Sequence, residues 1–345
     1  MELVMPDYYE DFVCVAGECE DTCCAGWQIY IDAKSMKKYK KVKGEFGKRL
    51  KGSIDKKSMT FKQVGRRCAF LNENNLCDIY SAIGKDMLCD TCKTFPRHIE
   101  EYEGMQEMSL SLSCPAVARY LMNRTEKVDF IRRNVDIEEE EYEEFDYLLF
   151  SKLLDIKEKV LDILRNRDYP INMRIMMTLG LAHDAQTRID GNRIFEIDAI
   201  LERYNNYEGF KKRLKALTPN RDTFKFVNIL DEFEVLNPSW REFLDELPKM
   251  NKGDKKYSEI QLEQLLVYFV SIYLCGAVYD YDLYGKMKFA AISVIILNEL
   301  SAYVEDVAKL AYRYSKELEH SDINIERMEK AVNDKQITLE MCYLP

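Results

Sequence analysis

The stretch EEFDYLLFSKLLDIKEKVLDILRNR, residues 143–167, decides the fold class, because its apolar residues recur at spacings of three and four. That period is typical of an amphipathic helix with one buried face. The same pattern continues along the chain and predicts helices at 171–189, 194–216, 259–279, 286–303, 303–319 and 322–333. Prolines fall between or near the ends of these segments, where helices stop, at positions 170, 219, 238 and 248.

The residues before this stretch have a different character, with short elements and most of the cysteines. IDAKSMKKYKKVKGEF (31–46) predicts a helix with a lysine-rich exposed face. SMTFKQV (58–64) and GMQEMSLSLS (104–113) alternate as short strands or extended segments do. Ser113 is predicted to cap a helix that has Pro115 in its first turn.

These patterns predict a mainly α fold. A small, irregular, cysteine-rich metal-binding region at the N-terminus is expected to pack on an all-α helical domain. The predicted boundary gives a region of 1–127 and a domain of 128–345. The acidic segment VDFIRRNVDIEEEE (128–141) is interpreted as the connector between the two.

The charge balance disfavours two classes of partner. Fifty basic and 60 acidic residues give a net charge of −10, which repels nucleic acid and anionic membranes. The longest apolar stretch, LLVYFVSIYLCGAVY (265–279), is shorter than the ~20 residues that span a bilayer, so it predicts a buried helix. MELVMPDYYEDF (1–12) lacks the basic and apolar parts of a secretory signal. We therefore expect a cytoplasmic protein that binds neither nucleic acid nor membrane.

The placement of the cysteines is the strongest chemical signal in the chain. Nine of the 11 lie in the first 114 residues. Eight of these nine form two groups, Cys14-x4-Cys19-x3-Cys23-Cys24 and Cys68-x8-Cys77 followed by Cys89-x2-Cys92. Close spacing lets one loop present two thiolates to one ion, and a distant second group closes the cage. The groups therefore predict a metal site, with disulfides or inert buried thiols as the alternative.

The spacing leaves the identity of the metal open. Four thiolates fit structural zinc and an iron–sulfur cluster alike. A radical S-adenosylmethionine (SAM) enzyme would carry Cys-x3-Cys-x2-Cys, but Gly26 stands where the third cysteine would follow Cys23. No two of the 14 glycines stand at G-x-G spacing, so SAM would have to bind without a glycine-rich strand-to-helix loop. A [4Fe-4S] cluster is the favoured hypothesis and zinc is the alternative.

The helix predicted near the C-terminus carries further polar candidates. In YVEDVAKLAYRYSKELEHSDIN (303–324) the apolar residues form one stripe that should pack on other helices. Arg313, Glu317 and His320 are three or four positions apart and lie on an adjoining face. One interpretation is an ion pair, a histidine at the helix end and a new helix that is capped at 321–322. The other is that this face looks towards the cysteine-rich region and lines a catalytic pocket.

The chain resembles the bacterial flagellin lysine-N-methylases near both ends. The likeness runs through MPDYYEDFVCVAGECEDTCCAGWQIYID (5–32), CAFLNENNLCDIYSAIGKDMLCDTCKTFPRH (68–98) and MSLSLSCPAVARYL (108–121). It returns in AYRYSKELEHSDINIE (311–326). The pattern CAFL…CDIY…C-x2-FP is also similar to that of small zinc- or iron-chelating cysteine-rich proteins, which supports metal binding separately.

This resemblance implies SAM-dependent methylation of lysine side chains on a protein partner, flagellin, by an enzyme that contains an iron–sulfur cluster. The metal ligands that it carries over are Cys14, Cys19, Cys23, Cys24, Cys68, Cys77, Cys89 and Cys92. The catalytic candidates in the late motif are Arg313, Tyr314, Glu317 and His320. Arg313 would hold a carboxylate, while Glu317 or His320 would accept the lysine proton. A non-catalytic zinc- or iron-binding protein and a redox sensor are the alternative functions.

Overall fold

The computed structural model describes residues 1–136, 145–214, 222–334 and 337–342. The acidic end of the predicted connector, 137–141, and the first two residues of the quoted helical stretch lie outside these ranges. In the described chain helices dominate and the strands are few, so the prediction of a mainly α fold with a cysteine-rich N-terminal region is confirmed.

The described strands lie in the N-terminal part of the chain and form one four-stranded sheet and two two-stranded sheets. The described strands are β1 (Glu2–Pro6), β2 (Ile54–Asp55), β3 (Thr60–Phe61), β4 (Gln63–Val64), β5 (Arg67–Cys68), β6 (Arg97–Tyr102), β7 (Met105–Leu110) and β8 (Phe130–Asn134). Four of them form a sheet in the order β6-β7-β1-β8. β6 and β7 are an antiparallel hairpin, and Gly104 adopts a φ of 77° in its turn, which glycine tolerates without strain.

The four-stranded sheet and the helix that follows β7 correct two expectations from the sequence. The connector interpretation of 128–141 is wrong for β8, which pairs antiparallel with β1 from Glu2↔Asn134 to Pro6↔Phe130. Because β1 and β8 are far apart in the chain, no local sequence pattern predicts that they pair. The helix start predicted at Ser113 is shifted by one residue, because Cys114 is the N-cap and Pro115 the first helical residue. The domain boundary at 127/128 stays a prediction.

Helices account for most of the remaining chain. Those of the N-terminal part are α1 (Ala33–Lys41), α2 (Gly44–Gly52), α3 (Asp78–Ile83), α4 (Asp90–Thr94) and α5 (Pro115–Asn123). Those that follow are α6 (Tyr147–Arg165), α7 (Ile171–Asp190), α8 (Ile197–Arg203), α9 (Tyr207–Leu214), α10 (Pro238–Glu246), α11 (Glu259–Tyr273), α12 (Ala277–Asp280), α13 (Leu283–Leu300), α14 (Val307–Glu319) and α15 (Asp322–Val332). The single helix predicted at 194–216 is therefore two helices, and α10 was not predicted.

The larger hydrophobic core surrounds α13. Sixteen of its 18 residues are buried, as expected for a helix that other elements cover on all sides. The segment Glu259–Asp280, which contains α11, is long and apolar enough to cross a membrane by length and composition alone. However, 72% of its apolar window is buried inside the protein, which is the environment of a core helix.

A second, smaller core belongs to the cysteine-rich region. It contains the aromatic side chains of Tyr39, Phe61 and Phe70 together with the buried thiols of Cys68 and Cys89. Two thiols are thus part of the packing of this region, so whatever binds them also affects its stability.

A helix break near the C-terminus positions the late motif. The carboxylate of Asp306 accepts a hydrogen bond from the Lys309 amide at 2.9 Å and begins α14. The Ser321 hydroxyl accepts one from the Asn324 amide at 3.1 Å and begins α15, as the sequence predicted. His320 lies between the two helices, as the C-cap of α14.

Candidate functional site

The cysteine-rich loops bring the two cysteine groups together. The Sγ atoms of Cys23 and Cys24 lie 4.0 Å apart. The Cys68 amide donates to the Cys24 carbonyl at 2.8 Å, which ties the first group to the second. Cys89 and Cys92 share a hydrogen bond between their side chains, which lowers the pKa of Cys89 and raises that of Cys92.

Burial and crowding both act against thiolate charge here. Burial raises the pKa of Cys68 to about 11, with smaller contributions from the neighbouring sulfurs of Cys77, Cys89 and Cys23. The hydrogen bond with Cys24 raises the pKa of Cys23 further still. A bound cation would reverse this preference, because metals bind the thiolate form.

The loop of the first cysteine group is held against the late helix by an ion pair. Lys316 of α14 places its Nζ 2.6 Å from an Asp21 carboxylate oxygen, and it donates to the Thr22 carbonyl at 3.2 Å. Arg119 of α5 bridges Glu20 and Asp306 on the same side. Both ends of the chain that carry the family resemblance are therefore in contact.

Replacing Lys316 by methionine is expected to loosen this loop. Loss of a half-buried ion pair and a hydrogen bond should cost about 1 kcal/mol of local stability. Amide hydrogen exchange at residues 19–24 should then be roughly fivefold faster. Lys309→Met, at an exposed position of the same helix, is the control and should leave that exchange rate unchanged. Equal rates in both variants would mean that the ion pair does not hold the loop.

Two of the four predicted catalytic side chains lie against helices rather than against the cysteines. The guanidinium of Arg313 stacks over the rings of Trp240 and Phe243 and donates to the Ser239 hydroxyl at 3.2 Å. Tyr314 is fully buried, and its hydroxyl lies 3.0 Å from the Ser293 hydroxyl. The structure shows packing roles for both, and their catalytic roles remain predictions.

Glu317 forms hydrogen bonds with the backbone just before α10. Its carboxylate accepts hydrogen bonds from the amides of Leu236 and Asn237, at 2.9 and 2.6 Å. Burial raises its pKa to about 7, although these two bonds act in the opposite direction. Its bonds thus hold the loop that leads into α10.

His320 does face the cysteine-rich region. Its ring centroid lies 4.7 Å from that of Trp27 and 6.0 Å from that of Phe95. Burial and the charge of Lys316 lower its pKa to about 3, so the imidazole is neutral near pH 7. The prediction that this part of the helix looks towards the cysteine-rich region is met at His320.

A cavity of about 400 Å³ opens beside His320, and we call it the interface cavity. The cysteine-rich side contributes the rings of Trp27 and Phe95, and the helical side contributes Tyr268 and Tyr273 of α11. This volume falls within the range of about 300–1,000 Å³ that is common for small-ligand pockets. A site at this position needs both parts of the chain.

Glu319 is a half-buried carboxylate that lines the interface cavity, and neither the helical spacing nor the family resemblance selected it. Its carboxylate accepts hydrogen bonds from the hydroxyls of Tyr268 at 2.8 Å, Tyr273 at 3.3 Å and Ser315 at 2.5 Å. Burial raises its pKa, while these hydroxyls and the charge of His98 act in the opposite direction. A usable signal was present, because a glutamate in the last turn of a helix opposes the helix dipole.

His98 and Glu100 of β6 complete the polar wall of the cavity. The His98 Nε2 atom lies 2.7 Å from a Glu100 carboxylate oxygen. Burial alone would lower the pKa of His98, but the bond to Glu100 and the charges of Glu100 and Glu319 raise it. The cavity therefore combines aromatic rings with three acidic side chains, Glu100, Glu319 and Asp322, besides Arg97 and His98. The rings and the carboxylates suit a cationic ligand.

Residues 157–344, more than half of the chain, match the model of the FliB lysine N-methylase C-terminal domain. The chain belongs to this family. Residues 13–114 match the CxxCxxCC zinc- or iron-chelating domain, and all eight predicted ligands fall inside that range. The two matched regions are those that face each other across the interface cavity.

Curated relatives of this family member come from Salmonella. The chain is 29% identical over 127 residues to the flagellar biosynthetic protein FliU of Salmonella muenchen, which covers 34% of this chain and 75% of that protein. It is equally similar to the lysine-N-methylases of Salmonella choleraesuis and Salmonella typhimurium, but the match spans only 32% of their length. No solved structure matches the chain significantly.

The family match and the donor chemistry agree on a zinc- or iron-binding region. Among the described residues, no three side chains of His, Cys, Asp or Glu are arranged to hold one ion. The donors nevertheless fit a thiophilic metal, because thiols from both cysteine groups lie beside one another. Cys114 is buried at the start of α5 and lies near Cys19 and Cys23.

Proposed function

We propose that this member of the FliB lysine N-methylase family transfers a methyl group from SAM to lysine side chains of a protein substrate, flagellin. The observation that supports this most directly is the position of the interface cavity, between the region that matches the metal-chelating domain and the region that matches the methylase domain. The curated relatives, with flagellar and lysine-N-methylase names, favour flagellin as the substrate class.

The cavity has the chemistry that lysine methylation requires. A lysine near pKa 10.4 must lose a proton before its nitrogen can attack a methyl group. The rings of Trp27 and Phe95 can cover the aliphatic chain and stabilise its cationic end. Neutral His320 adds to this wall without adding charge that would repel an ammonium group. Of the four sequence-predicted catalytic residues, His320 is the one that lines the cavity among the described residues.

The proposal also includes a metal centre bound by the cysteine-rich region. Its thiolate ligands would come from among the eight cysteines of the two groups, with a [4Fe-4S] cluster as the favoured species and zinc as the alternative. Such a centre supplies either structural cross-linking or an open iron that can bind polar groups of SAM. Trp27 connects the cysteine loop to the cavity, because its indole NH donates to the Cys23 carbonyl at 2.8 Å.

A non-catalytic metal chelator is the second candidate, since the cysteine-rich region has its own hydrophobic core. A chelator needs neither the interface cavity nor the helical domain. Incubation of the purified protein with SAM and flagellin separates the two functions. Methyltransfer gives a mass increase of one methyl group per modified lysine, whereas a chelator leaves the flagellin mass unchanged.

His320→Asn is expected to reduce kcat/KM for flagellin roughly tenfold, because one aromatic face of the cavity is lost. The fold and the metal content should be retained, as judged by circular dichroism and elemental analysis. Arg313→Lys, which changes a contact with α10 outside the cavity, serves as the comparison. A His320→Asn protein that is as active as the parent would remove His320 from the proposed site.

A further inference from the structure

Glu319 stands out among the acidic side chains of α14. It is the last residue of the helix, where the helix dipole disfavours a negative charge. Three hydroxyls from two helices nevertheless converge on its carboxylate, namely those of Tyr268, Tyr273 and Ser315. The group is thus held rigidly in an unfavourable place beside a cavity, which is typical of a functional residue.

We propose that Glu319 binds the ammonium group of the substrate lysine inside the interface cavity and accepts its proton before methyl transfer. This assignment rests on the proposed lysine methyltransferase function and names its proton acceptor. Glu319 lines the cavity from the helical side, and Trp27 and Phe95 line it from the cysteine-rich side. A lysine side chain that packs on the rings inside the cavity would therefore have a carboxylate available for its ammonium group.

The proposed proton transfer and methyl transfer need one other reactant, the sulfonium methyl donor SAM. One N–H bond of the ammonium group breaks, and its proton moves to a Glu319 oxygen. The freed nitrogen lone pair then forms a bond to the methyl carbon of SAM. The carbon–sulfur bond breaks, and its electron pair stays on sulfur, which leaves as the neutral thioether.

The other titratable groups around the cavity are less suited to accept this proton. His320 is neutral, but its pKa near 3 makes it a very weak base. Glu100 is already paired with His98, which also faces Glu319. Arg97 stacks over Tyr9, and Asp322 begins α15 at an exposed position. Glu319 is the carboxylate whose partners are neutral hydroxyls, so its oxygens can still receive a proton.

The test compares Glu319 with an exposed glutamate of the next helix, Glu326 of α15. Glu319→Gln should lower kcat/KM at least about 100-fold, since general bases typically contribute 10²–10⁴-fold. Glu326→Gln is the matched control, because Glu326 is exposed and does not line the cavity. It should keep methylation within about threefold of the parent. Full activity of Glu319→Gln, or loss of activity only in Glu326→Gln, would overturn the assignment.

A binding experiment separates this assignment from the proposed function. Titration calorimetry with n-butylammonium, which mimics the lysine side chain, should show binding that Glu319→Gln weakens at least tenfold and Glu326→Gln does not. Binding of this kind in a protein that fails to methylate flagellin would contradict methyltransfer but support the cation site. Equal affinity in parent and Glu319→Gln would contradict the site even if methylation is observed.

A second, more conservative variant tests the assignment even if Glu319→Gln does not fold. Tyr273→Phe removes one hydroxyl from the carboxylate and keeps the ring that packs on Phe289. Because that hydrogen bond lowers the pKa of Glu319, its loss should raise it. The base is needed in its ionised form, so activity falls as pH drops through this pKa. The acidic limb of the pH–rate profile should therefore move to higher pH in Tyr273→Phe. An unmoved limb would count against Glu319 as the base.

Discussion

Alanine at Cys23, Cys68, Cys77 or Cys92 is expected to abolish metal binding and to unfold the cysteine-rich region. Metal binding and folding are coupled in small thiolate sites, where the metal contributes most of the folding free energy. Cys68 is also part of the small hydrophobic core, so losing the metal exposes the packing around it. Elemental analysis gives the metal content, and thermal denaturation should show a lost or strongly lowered first transition.

The matched controls are two cysteines in the helical part. Cys275 and Cys342 are fully buried in the larger core, and burial raises the pKa of each thiol to about 12. They therefore behave as small hydrophobic side chains, and Cys275→Ala should retain the full metal content. Full retention of metal in all four of the first variants would instead refute the cysteine site.

The colour and the metal content of the purified protein identify the metal that these cysteines bind. Protein purified without oxygen should be brown and should contain both iron and sulfide if a [4Fe-4S] cluster is present. Colourless protein with about one zinc ion per chain would reject the cluster and keep the metal site. Either result limits the roles that the metal centre can have in this protein, because zinc has no redox chemistry.

Lys157→Met is expected to destabilise the protein by about 3–5 kcal/mol. The Lys157 ammonium of α6 lies 2.7 Å from the carboxylate of Glu107 on β7 and donates to the Ser271 carbonyl at 2.6 Å. Both charged residues are buried. Removing the lysine leaves a buried carboxylate without its partner, which is the costly case. Urea denaturation followed by far-ultraviolet circular dichroism measures the effect.

A double variant distinguishes an unpaired charge from lost packing. Lys157→Met combined with Glu107→Met should recover most of the lost stability, since an apolar pair of similar volume is often as stable as a buried ion pair. Lys249→Met, in an exposed pair with Glu246, should cost less than about 1 kcal/mol. If the double variant is no more stable than Lys157→Met, the unpaired-charge explanation is wrong.

The same ion pair connects stability with the candidate site. Glu107 lies opposite Glu100 in the register of the β6–β7 hairpin, and Glu100 bonds to His98 on the cavity wall. The Lys157–Glu107 pair therefore anchors that hairpin on α6. No local sequence pattern predicts this ion pair, because Lys157 and Glu107 are 50 residues apart and belong to a helix and a strand, respectively.

Local patterns were sufficient for several features of this protein. Helical periodicity predicted α6, α7, α11, α13, α14 and α15, because each buries one or more faces of a regular helix. The motif likeness selected the family, which the match over residues 157–344 shows. The cysteine spacing predicted a metal-binding region, in agreement with the match over residues 13–114.

The remaining features depend on contacts between distant parts of the chain. The sheet order β6-β7-β1-β8 brings the first residues beside strands that begin at positions 105 and 130, and such pairings have no local signature. Arg313 and Glu317 were selected on helical spacing and Tyr314 on the family resemblance, but their neighbours in and before α10 and in α13 determine what they contact.

The sequence by itself determined the helical class and the cysteine-rich region, because these follow from the period and the spacing of residues along the chain, and its motifs resemble those of the family. The tertiary structure alone decided which side chains share the interface cavity. Glu319 is adjacent to His320 in sequence, yet it meets Tyr268 and Tyr273 only because α14 packs on α11. Trp27 meets His320 because its loop packs against α14, where the Asp21–Lys316 pair joins the two. Such juxtapositions are set by packing between elements, which no local pattern encodes.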